Sequence, residues 1–260
     1  MKTKNSLFFI PLLATGSLFA QTALDNAGNY TSWTDGSNQG TGFQNWSFNQ
    51  NSDGSTLFAG HFLGDSTDGA GDINTGSQSF GMFANPSGAF STAIRSFASP
   101  LSINDQFTFQ MGVNFDNGNK GFNLRTGGDS IFNFNVGGGG ASVSSANATL
   151  VPETSVAYDY GGNDAVIDVV MVVKSASEID YQISRASAQG VQGTLFSGSV
   201  TGITASIDNF EFYISDTDAG GAPANNLYFN NLAVSTVPEP SGFALFLGSS
   251  AMFWIARRRP

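Results

Sequence analysis

The feature that most constrains this chain is a strict two-residue alternation of apolar and polar side chains. In the segment FTFQMGVNF, the apolar positions are Phe107, Phe109, Met111, Val113 and Phe115, and polar or small residues fill the positions between them. Successive side chains of a β-strand point to opposite faces, so this period places all five apolar residues on one side. The segment therefore predicts a strand with one face in a core and one face toward solvent.

The same alternation recurs along the chain in segments that are separated by turn-forming residues. It is present in IFNFNV (131–136), IDYQIS (179–184) and FEFYI (210–214). Clusters such as TDGAGD and DTDAGGAPANN lie between the apolar segments and are typical of turns. No segment between them has the 3.6-residue period of an amphipathic helix. The pattern predicts an all-β, antiparallel β-sandwich with a jelly-roll, concanavalin-like layout, formed by one domain over residues 24–236.

Three segments give more specific local predictions. DNGNKG at 116–121 has Asn-Gly at its centre and predicts a β-hairpin turn. VIDVVMVV at 166–173 is almost continuously apolar and predicts a central strand that is covered on both faces. In LYFNNLAV the apolar pairs on either side of Asn230 and Asn231 are out of phase, which predicts a β-bulge at those two residues.

The charge of the chain is strongly acidic and argues against one class of partner. Residues 21–236 contain five basic and 19 acidic residues, a formal net charge of −14, while the other basic residues lie near the two termini. A surface with this charge repels phosphate backbones, so the composition argues against nucleic-acid binding. The chain has no cysteine, which excludes disulfides and cysteine-ligated metal sites.

The first 20 residues have the three-part layout of a secretory signal peptide. Lys2 and Lys4 precede an apolar segment at 7–14, and small residues follow it. Ala20 is the predicted cleavage residue, with Ala23 as the alternative. We therefore expect export across the inner membrane and removal of residues 1–20.

Residues 237–260 form a second targeting segment. The middle part predicts a short transmembrane helix of about 22 Å, at about 1.5 Å per residue. This is short for a hydrocarbon core of about 30 Å, but the arginines that follow can extend to the headgroups. The basic cluster is expected on the cytoplasmic side, which places the domain on the opposite side of the membrane. The three parts are the motif Val237-Pro238-Glu239-Pro240, the mostly apolar segment 242–256, and the cluster Arg257-Arg258-Arg259.

These C-terminal parts resemble the PEP-CTERM sorting signal of Gram-negative bacteria, although Gly242 and the sequence GSS at 248–250 depart from the usual pattern. The resemblance implies export by secretion machinery and processing by an exosortase, a membrane enzyme that acts on such tails. It also implies transient anchoring in the membrane and delivery to the cell surface or an extracellular polysaccharide matrix. The domain resembles the sandwich domains that often precede such tails, in the segments NKGFNLR and NNLYFNNL.

The sequence lacks the usual residue sets of a hydrolase. His61 is the only histidine, and it lies between apolar residues in FAGHFLG, where a packing role is expected. A glycosidase needs two carboxyl groups about 5 to 10 Å apart. Glu178 has Asp180 two positions on but no second glutamate, and Glu211 has no acidic neighbour at that spacing. Both glutamates are expected to be solvent-facing strand residues, and we predict that the protein is not an enzyme.

Two acidic loops are candidates for a structural calcium ion, since oxygen ligands from loops suit this metal. Neither loop has the EF-hand spacing, and acidic glycine-rich turns also form without metal, so the alternative is a protein without a cofactor. The candidate ligands are Asp65, Asp68 and Asp72 in the first loop and Asp216 and Asp218 in the second.

Two tryptophans are candidates for contact with a glycan. Trp33 and Trp46 lie in YTSWTDGSNQGTGFQNWSF, a segment rich in hydroxyl and amide side chains. Aromatic rings can stack on sugar rings, while amides bind sugar hydroxyls. The alternative is that Trp46 shares a strand face with Phe48 and packs in the core.

The sequence predicts an exported, non-catalytic protein of the cell surface or extracellular matrix, which an exosortase sorts and processes. The first alternative is a lectin-like polysaccharide-binding module on the same fold. The second alternative is a polysaccharide-degrading enzyme. The tail is compatible with all three, because it specifies where the protein goes and not what the protein does there.

Overall fold

The alternating segments form the strands of an antiparallel β-sandwich. The computed structural model describes residues 20–146, 150–151, 153–158, 165–185 and 193–237, so residues 1–19 and those from 238 onward lie outside this part. Residues Gln21–Val237 form one unit by themselves. The strands are β1 (Ala20–Asp25), β2 (Phe43–Gln50), β3 (Phe58–Gly64), β4 (Ser79–Asn85), β5 (Phe90–Phe97), β6 (Asp105–Val113), β7 (Asn119–Thr126), β8 (Asp129–Gly137), β9 (Gly140–Ser144), β10 (Thr154–Ala157), β11 (Val166–Ser175), β12 (Glu178–Arg185), β13 (Gly193–Thr201), β14 (Asn209–Ser215) and β15 (Leu227–Thr236).

The strands form two sheets, here called sheet 1 and sheet 2. Sheet 1 has the order β13-β12-β11-β6-β15-β4-β3, with β1 paired to β15, and sheet 2 has the order β10-β9-β8-β7-β14-β5-β2. The pairs with a described register are antiparallel. The chain changes sheet at each step from β4 to β7, so strands far apart in sequence become neighbours. The predicted all-β antiparallel sandwich is confirmed.

The core lies between the two sheets and consists largely of phenylalanine. Phe212 of sheet 2 stacks on Phe229 of sheet 1 with ring centroids 3.8 Å apart, and Phe109 lies 4.5 Å from Phe122 across the same interface. Full burial of one such side chain stabilises a fold by about 2 kcal/mol. The buried hydrophobic residues extend from position 23 to position 234, so the unit contains its own core. The buried phenylalanines with the least exposure are Phe80, Phe107, Phe109, Phe122, Phe132, Phe134, Phe210, Phe212 and Phe229.

Strand β15 contains the predicted bulge. Its register against β6 shifts between Asn230 and Ala233, and Asn231 has a positive φ of 58°, which Asn tolerates better than most residues. The buried side chain of Asn230 accepts a hydrogen bond from the Ala27 backbone N–H and donates one to the Ile73 carbonyl, both at 2.8 Å. The bulge thereby ties two distant loops to the middle of sheet 1.

The predicted hairpin at 116–121 is wrong, because its flanking strands β6 and β7 belong to different sheets. The buried ammonium group of Lys120 donates hydrogen bonds to the backbone carbonyls of Phe115 and Asn117 and to the Asn117 side chain, at 2.5–2.8 Å. The lysine thus satisfies carbonyl groups of a loop that crosses between the sheets. A two-residue hairpin turn lies instead at 138–139, in the VGGGG segment.

The sequence predicts that strand β11 is covered on both faces, but the structure shows it buried on one face only. Its side chains alternate, with Ile167 and Val169 buried and Val170 and Val172 half-exposed on the outer face of sheet 1. The continuous apolar sequence gives the wrong prediction because valine favours strands on either face.

The helices of the described residues are short. They are the 3-10 helices Ala27–Asn29, Ser66–Asp68 and Pro223–Asn225. Within this part of the chain, no helix has the length and apolar character needed to cross a membrane. The predicted transmembrane segment 242–256 lies outside it.

A buried ion pair joins the N-terminal strand to sheet 2. Asp25 of β1 and Arg95 of β5 have fully buried side chains, which contact each other through Oδ2 and Nη1. Tyr30 donates a hydrogen bond to the same carboxylate at 2.7 Å, and Arg95 donates one to the Gln44 carbonyl at 2.7 Å. The Arg95 guanidinium also lies 4.7 Å from the ring centre of Trp46. Removal of either partner would leave the other charge buried without compensation.

We expect Asp25→Ala to lower the free energy of unfolding by about 3–5 kcal/mol, since Arg95 keeps its burial but loses its counter-charge. The double variant D25A/R95M should recover a large part of this loss, because it removes both charges. Urea-induced unfolding of residues 21–237 measures both changes. The exposed pair Lys174–Asp180, 4.0 Å apart, provides the control. Asp180→Ala should change the free energy by no more than about 1 kcal/mol, and an equally small effect of Asp25→Ala would contradict the prediction.

Candidate functional site

The two tryptophans that the sequence offers for glycan contact are buried in the core. Trp33 is 4% exposed and Trp46 is 1% exposed, and their rings meet edge to face with centroids 5.4 Å apart. Trp46 also packs on Phe80 and Phe210. Neither ring presents a face to a ligand, so the predicted glycan contact is wrong. Both tryptophans pack in the core.

The first acidic loop is held together by its own hydrogen bonds. Asp65 caps the 3-10 helix Ser66–Asp68 by accepting from the Thr67 N–H at 2.9 Å, and it accepts from the Asn74 amide at 2.6 Å. The hydroxyl and N–H of Thr67, together with the Asn74 amide, hold the pKa of Asp65 below its usual value. Asp72 accepts from the Asn74 backbone N–H at 3.1 Å.

The second acidic loop lies beside a lysine. Asp216 has a positive φ of 59° and accepts from the Gly88 N–H at 2.7 Å, a bond that lowers its pKa. Burial lowers the pKa of Lys120 to about 8, and the attraction of Asp116 and Asp218 opposes this shift.

The structure does not bring either set of aspartates together as a metal centre. In the described ranges, no group of three or more His, Cys, Asp or Glu side chains is placed to hold a metal ion. A calcium ion stays a prediction that this geometry does not support. The residues concerned are Asp65, Asp68, Asp72, Asp216 and Asp218.

The sorting residues fall almost entirely outside the described residues. Val237 is described, and its N–H donates to the Asn104 carbonyl at 2.9 Å. Ala20, the predicted cleavage residue, is the first residue of β1, so cleavage after it leaves 21–25 of that strand in place. The residues outside are Pro238, Glu239, Pro240, Arg257, Arg258 and Arg259.

The two glutamates considered for hydrolysis lie on different sheets. Glu178 begins β12 in sheet 1, and Glu211 lies in β14 in sheet 2. Glu211 is not freely exposed, because Arg125 Nη1 lies 2.6 Å from its Oε2 and both side chains are only 17% exposed. Asn123 donates to the other carboxylate oxygen at 3.0 Å. Glu211 is therefore part of a larger polar arrangement on the outer face of sheet 2.

Ten side chains on this outer face form one connected hydrogen-bond network, here called the polar face. They come from β7, β8, β9 and β14, which are adjacent in sheet 2. The network joins residues as far apart in sequence as Asn123 and Glu211, which are separated by 88 positions. Its members are Asn119, Asn123, Arg125, Ser130, Asn133, Asn135, Ser144, Glu211, Tyr213 and Ser215.

The centre of the polar face is a row of side chains in direct register. Asn123 lies opposite Glu211 on one side and Asn133 on the other. The Asn133 amide donates to Asn123 Oδ1 at 2.9 Å and to the Tyr213 hydroxyl at 2.8 Å. The Tyr213 hydroxyl in turn donates to Asn135 Oδ1 at 3.1 Å. Because each side chain is held by its neighbours, the row has a fixed geometry before any ligand arrives.

Tyr213 lies across Gly121 of the neighbouring strand. A Cβ atom at position 121 would stand 2.3 Å from the Tyr213 hydroxyl and 2.2 Å from the Phe134 carbonyl, so only glycine fits there. Burial raises the pKa of Tyr213, which keeps the phenol neutral and able to donate. The result is an aromatic ring that is fixed by its hydroxyl among amide side chains.

The network keeps hydrogen-bonding capacity for a ligand. An Asn amide has two donors and two acceptor positions, and a carboxylate has about four acceptor positions. Each oxygen of Glu211 accepts one hydrogen bond, from Asn123 or Arg125, and the side chains of the row are partly buried, so that part of each is accessible. The polar face can therefore bind a molecule that carries many hydroxyl groups and one flat apolar surface.

The outer face of sheet 1 is partly covered by the loop 65–78. Ala70 and Ile73 of this loop pack on Tyr228 of β15, which is buried. The Thr75 hydroxyl donates to the Asn231 side chain at 2.8 Å and fixes the loop on the sheet. Sheet 2 therefore offers the better candidate surface.

The polar face is not predicted from the sequence, although part of its signal is present there. FNLR (122–125), FNFN (132–135) and FEFY (210–213) each place polar or aromatic side chains between core residues. The sequence does not show that these three segments are neighbours, which follows only from the order β8-β7-β14.

The chain is similar in structure to several solved proteins. The metal-free exoplasmic/lumenal domain of VIP36 is 8% identical in sequence. The alignment covers 84% of this chain and 92% of the VIP36 chain, with a TM-score of 0.46. The galectin LEC-6 of Caenorhabditis elegans is 15% identical, and the alignment covers 53% of this chain and 88% of the galectin, with a TM-score of 0.35. The carbohydrate esterase vb_24B_21 from the Shiga toxin-encoding bacteriophage phi24B is 13% identical, and the alignment covers 75% of this chain and 91% of the esterase, with a TM-score of 0.41. These TM-scores are below 0.5, so the assignment of a function rests on the polar face. No family model and no curated protein matches the chain.

His61 packs among aromatic residues between the sheets, which agrees with the packing role expected for it. Its ring stacks on Phe48 with centroids 3.7 Å apart, and it meets Trp33 edge to face at 5.3 Å. Burial lowers the pKa of His61, and the attraction of Asp35 opposes this shift only in part. The fold therefore favours the neutral imidazole.

We expect the free energy of unfolding to fall as the pH drops below 6.5, the usual pKa of histidine. In that range the unfolded chain binds a proton that the folded protein does not yet bind, so the slope can reach about 1.4 kcal/mol per pH unit. His61→Phe keeps an aromatic stack but does not titrate, and it should flatten the slope immediately below pH 6.5. Urea-induced unfolding at several pH values measures the slope. Identical slopes in the two proteins would contradict the prediction.

Proposed function

We propose that the protein is an exported, non-catalytic module that binds a polysaccharide through the polar face. The observation that carries this proposal is the network that runs from Arg125 through Glu211, Asn123 and Asn133 to Tyr213. It combines donors, acceptors and an aromatic ring on one surface of sheet 2. Lectin-like binding, the first alternative in the sequence analysis, is thereby the preferred function.

A sugar ring is complementary to this surface. Its hydroxyl groups both donate and accept hydrogen bonds, as do the amides of Asn123 and Asn133. Its flat C–H surface can pack on an aromatic ring such as Tyr213. Because the network already holds these side chains in place, little side-chain entropy is lost on binding.

The charge of the polar face favours a neutral polysaccharide. Arg125 and Glu211 are the charged members of the face, and they neutralise each other. The surrounding domain is acidic, with a formal net charge of −14 over 21–236, and repels polymers rich in carboxylate or sulfate groups. A neutral polymer meets no such repulsion.

The sandwich is proposed to be of the jelly-roll, concanavalin-like type. The changes of sheet at each step from β4 to β7, and again from β14 to β15, support this assignment. The same connectivity brings β7 and β14 side by side at the centre of the polar face.

Export and sorting are proposed from the two terminal sequences. The signal peptide at 1–20 supports export, and the tail at 237–260 supports processing by an exosortase after transient anchoring through 242–256. Delivery to the cell surface or extracellular matrix follows from the same tail. The ten residues of the polar face lie in neither segment, so sorting and binding can be tested separately.

We expect residues 21–237 to bind at least one neutral polysaccharide in a panel that also contains acidic polymers. Tyr213→Ala and Asn133→Ala should each weaken binding at least about tenfold, which corresponds to about 1.4 kcal/mol of lost contacts. Gln182→Ala is the matched control, because this residue is exposed on the outer face of sheet 1. Isothermal titration calorimetry measures the affinities.

Other outcomes of this experiment separate the alternatives. Absence of binding, or equal binding by all variants, would contradict the proposal and favour a structural role for the exported protein. Release of reducing sugar would show the second alternative, an enzyme. A metal chelator should leave binding unchanged. Glu211, the carboxylate of the polar face, already pairs with Arg125 and is therefore not expected to bind a metal ion.

Replacing the three arginines at 257–259 with Ser, or Pro238 and Pro240 with Ala, should leave the domain folded but prevent normal delivery. Cytoplasmic arginines are expected to fix the orientation of the apolar segment, and proline disfavours a helix, so the motif is expected to be extended for a processing enzyme. Cell fractionation in the native host measures the localisation, and polysaccharide binding by the fractions controls for folding. Normal surface delivery of both variants would rule out the sorting proposal.

A further inference from the structure

A row of side chains crosses sheet 2 from one edge strand to the other, here called the cross-strand lane. Its members lie opposite one another in register along β2, β5, β14, β7, β8, β9 and β10. Tyr213 and Gly121 are at its middle, while Asn49 and Ser155 are exposed at its two ends. The members are Asn49, Thr92, Tyr213, Gly121, Asn135, Ser142 and Ser155.

The spacing of this lane is close to the repeat of an extended polysaccharide. Neighbouring strands lie about 4.8 Å apart, so the steps from Asn49 to Ser155 span about 29 Å. A sugar residue in an extended pyranose chain advances by a length similar to one such step. A chain that crosses the strands therefore meets about one lane residue per sugar.

The two borders of the lane differ. On one side, Glu211, Asn123 and Asn133 form the hydrogen-bonded row of the polar face. On the other side, Ser215 and Asn119 lie opposite each other and carry polar side chains, and Gly137 and Gly140 continue the same row without side chains. A polymer in the lane would thus have Glu211 and two amide side chains along one side, and Ser215, Asn119 and two residues without side chains along the other.

We infer that the ligand is an internal segment of a linear, neutral polysaccharide, which lies along the cross-strand lane. This inference rests on the proposed function. Both ends of the lane are exposed residues of edge strands, so a polymer can continue past the sheet in both directions. Tyr213 packs on a central sugar, and Thr92 and Ser142 contact sugars on its two sides. Affinity therefore increases with ligand length, and modification of a chain end has no effect.

The first test is the dependence of affinity on ligand length. Cello-, manno- and xylo-oligosaccharides of about two to six sugars are titrated into residues 21–237, the unit that contains its own core. For the oligosaccharide series that binds, affinity should rise at least about tenfold from the disaccharide to the hexasaccharide. Reduction of the terminal sugar to its alditol should change the hexasaccharide affinity by less than about twofold.

The second test places an obstacle in the lane. Ser142→Tyr introduces a ring three strands from Tyr213 and should weaken hexasaccharide binding at least about tenfold, while disaccharide binding changes less than about twofold. Ser197→Tyr is the matched control, because Ser197 is exposed on β13 of sheet 1. Thermal unfolding verifies that both variants fold. If Ser142→Tyr does not fold, Ser142→Ala provides the test and should weaken hexasaccharide binding about threefold.

The outcomes separate the lane from the proposed function. Equal affinities for disaccharide and hexasaccharide, with no effect of the Ser142 variants, would overturn the lane and leave binding by the polar face intact. Loss of hexasaccharide binding on reduction to the alditol would show recognition of a chain end and would also overturn the lane. Failure of all the polysaccharides and oligosaccharides to bind would overturn the proposed function itself.

Discussion

The alternation of inward and outward side chains in β7, β8 and β14 couples the core to the polar face. Phe122, Phe134 and Phe212 point into the core, while Asn123 and Asn133 point outward from the same strands. A shift of one residue in register would bury amides and expose phenylalanines, and both changes are unfavourable. The packing of the phenylalanines therefore fixes where each polar side chain stands on the outer face. A binding surface of this kind needs no separate scaffold, because the core specifies its geometry.

Two buried polar contacts fix distant segments of the chain on the sheets. Arg95 and Asp25 are 70 positions apart, and Asn230 and Ala27 are 203 positions apart, yet each pair is in direct contact. Buried polar groups are unfavourable unless they are paired, so these contacts allow few alternative arrangements. Asn230 also binds the loop 65–78, which covers part of sheet 1. Among the described residues, this loop therefore covers sheet 1 and not the outer face of sheet 2.

Local patterns predict the strands and the bulge, but not the partners of the strands. The alternation at 107–113 and the phase shift at Asn230 and Asn231 are properties of adjacent residues, and both predictions are confirmed. The Asn-Gly sequence at 116–121 also predicts a local turn, but the next strand pairs with β14, almost 90 residues later, and the predicted hairpin does not form. The candidate glycan contact of Trp33 and Trp46 is wrong, whereas the alternative of core packing, which local alternation indicates for Trp46, is confirmed. The polar face combines two local hairpins, β7–β8 and β8–β9, with the long-range pairing of β7 and β14, which a single sequence does not specify.

The acidity of the domain and the neutrality of the polar face are two separate properties. Acidic residues outside the face repel anionic polymers, whereas the charges of Arg125 and Glu211 cancel within the face. Without net charge, the face has no long-range attraction for a ligand, so recognition depends on the geometry of hydrogen bonds and on the Tyr213 ring. That geometry is set by strand register. The register that packs the phenylalanines therefore also determines which hydroxyl groups of the proposed polysaccharide this face could bind, and in which direction the polymer would cross the sheet.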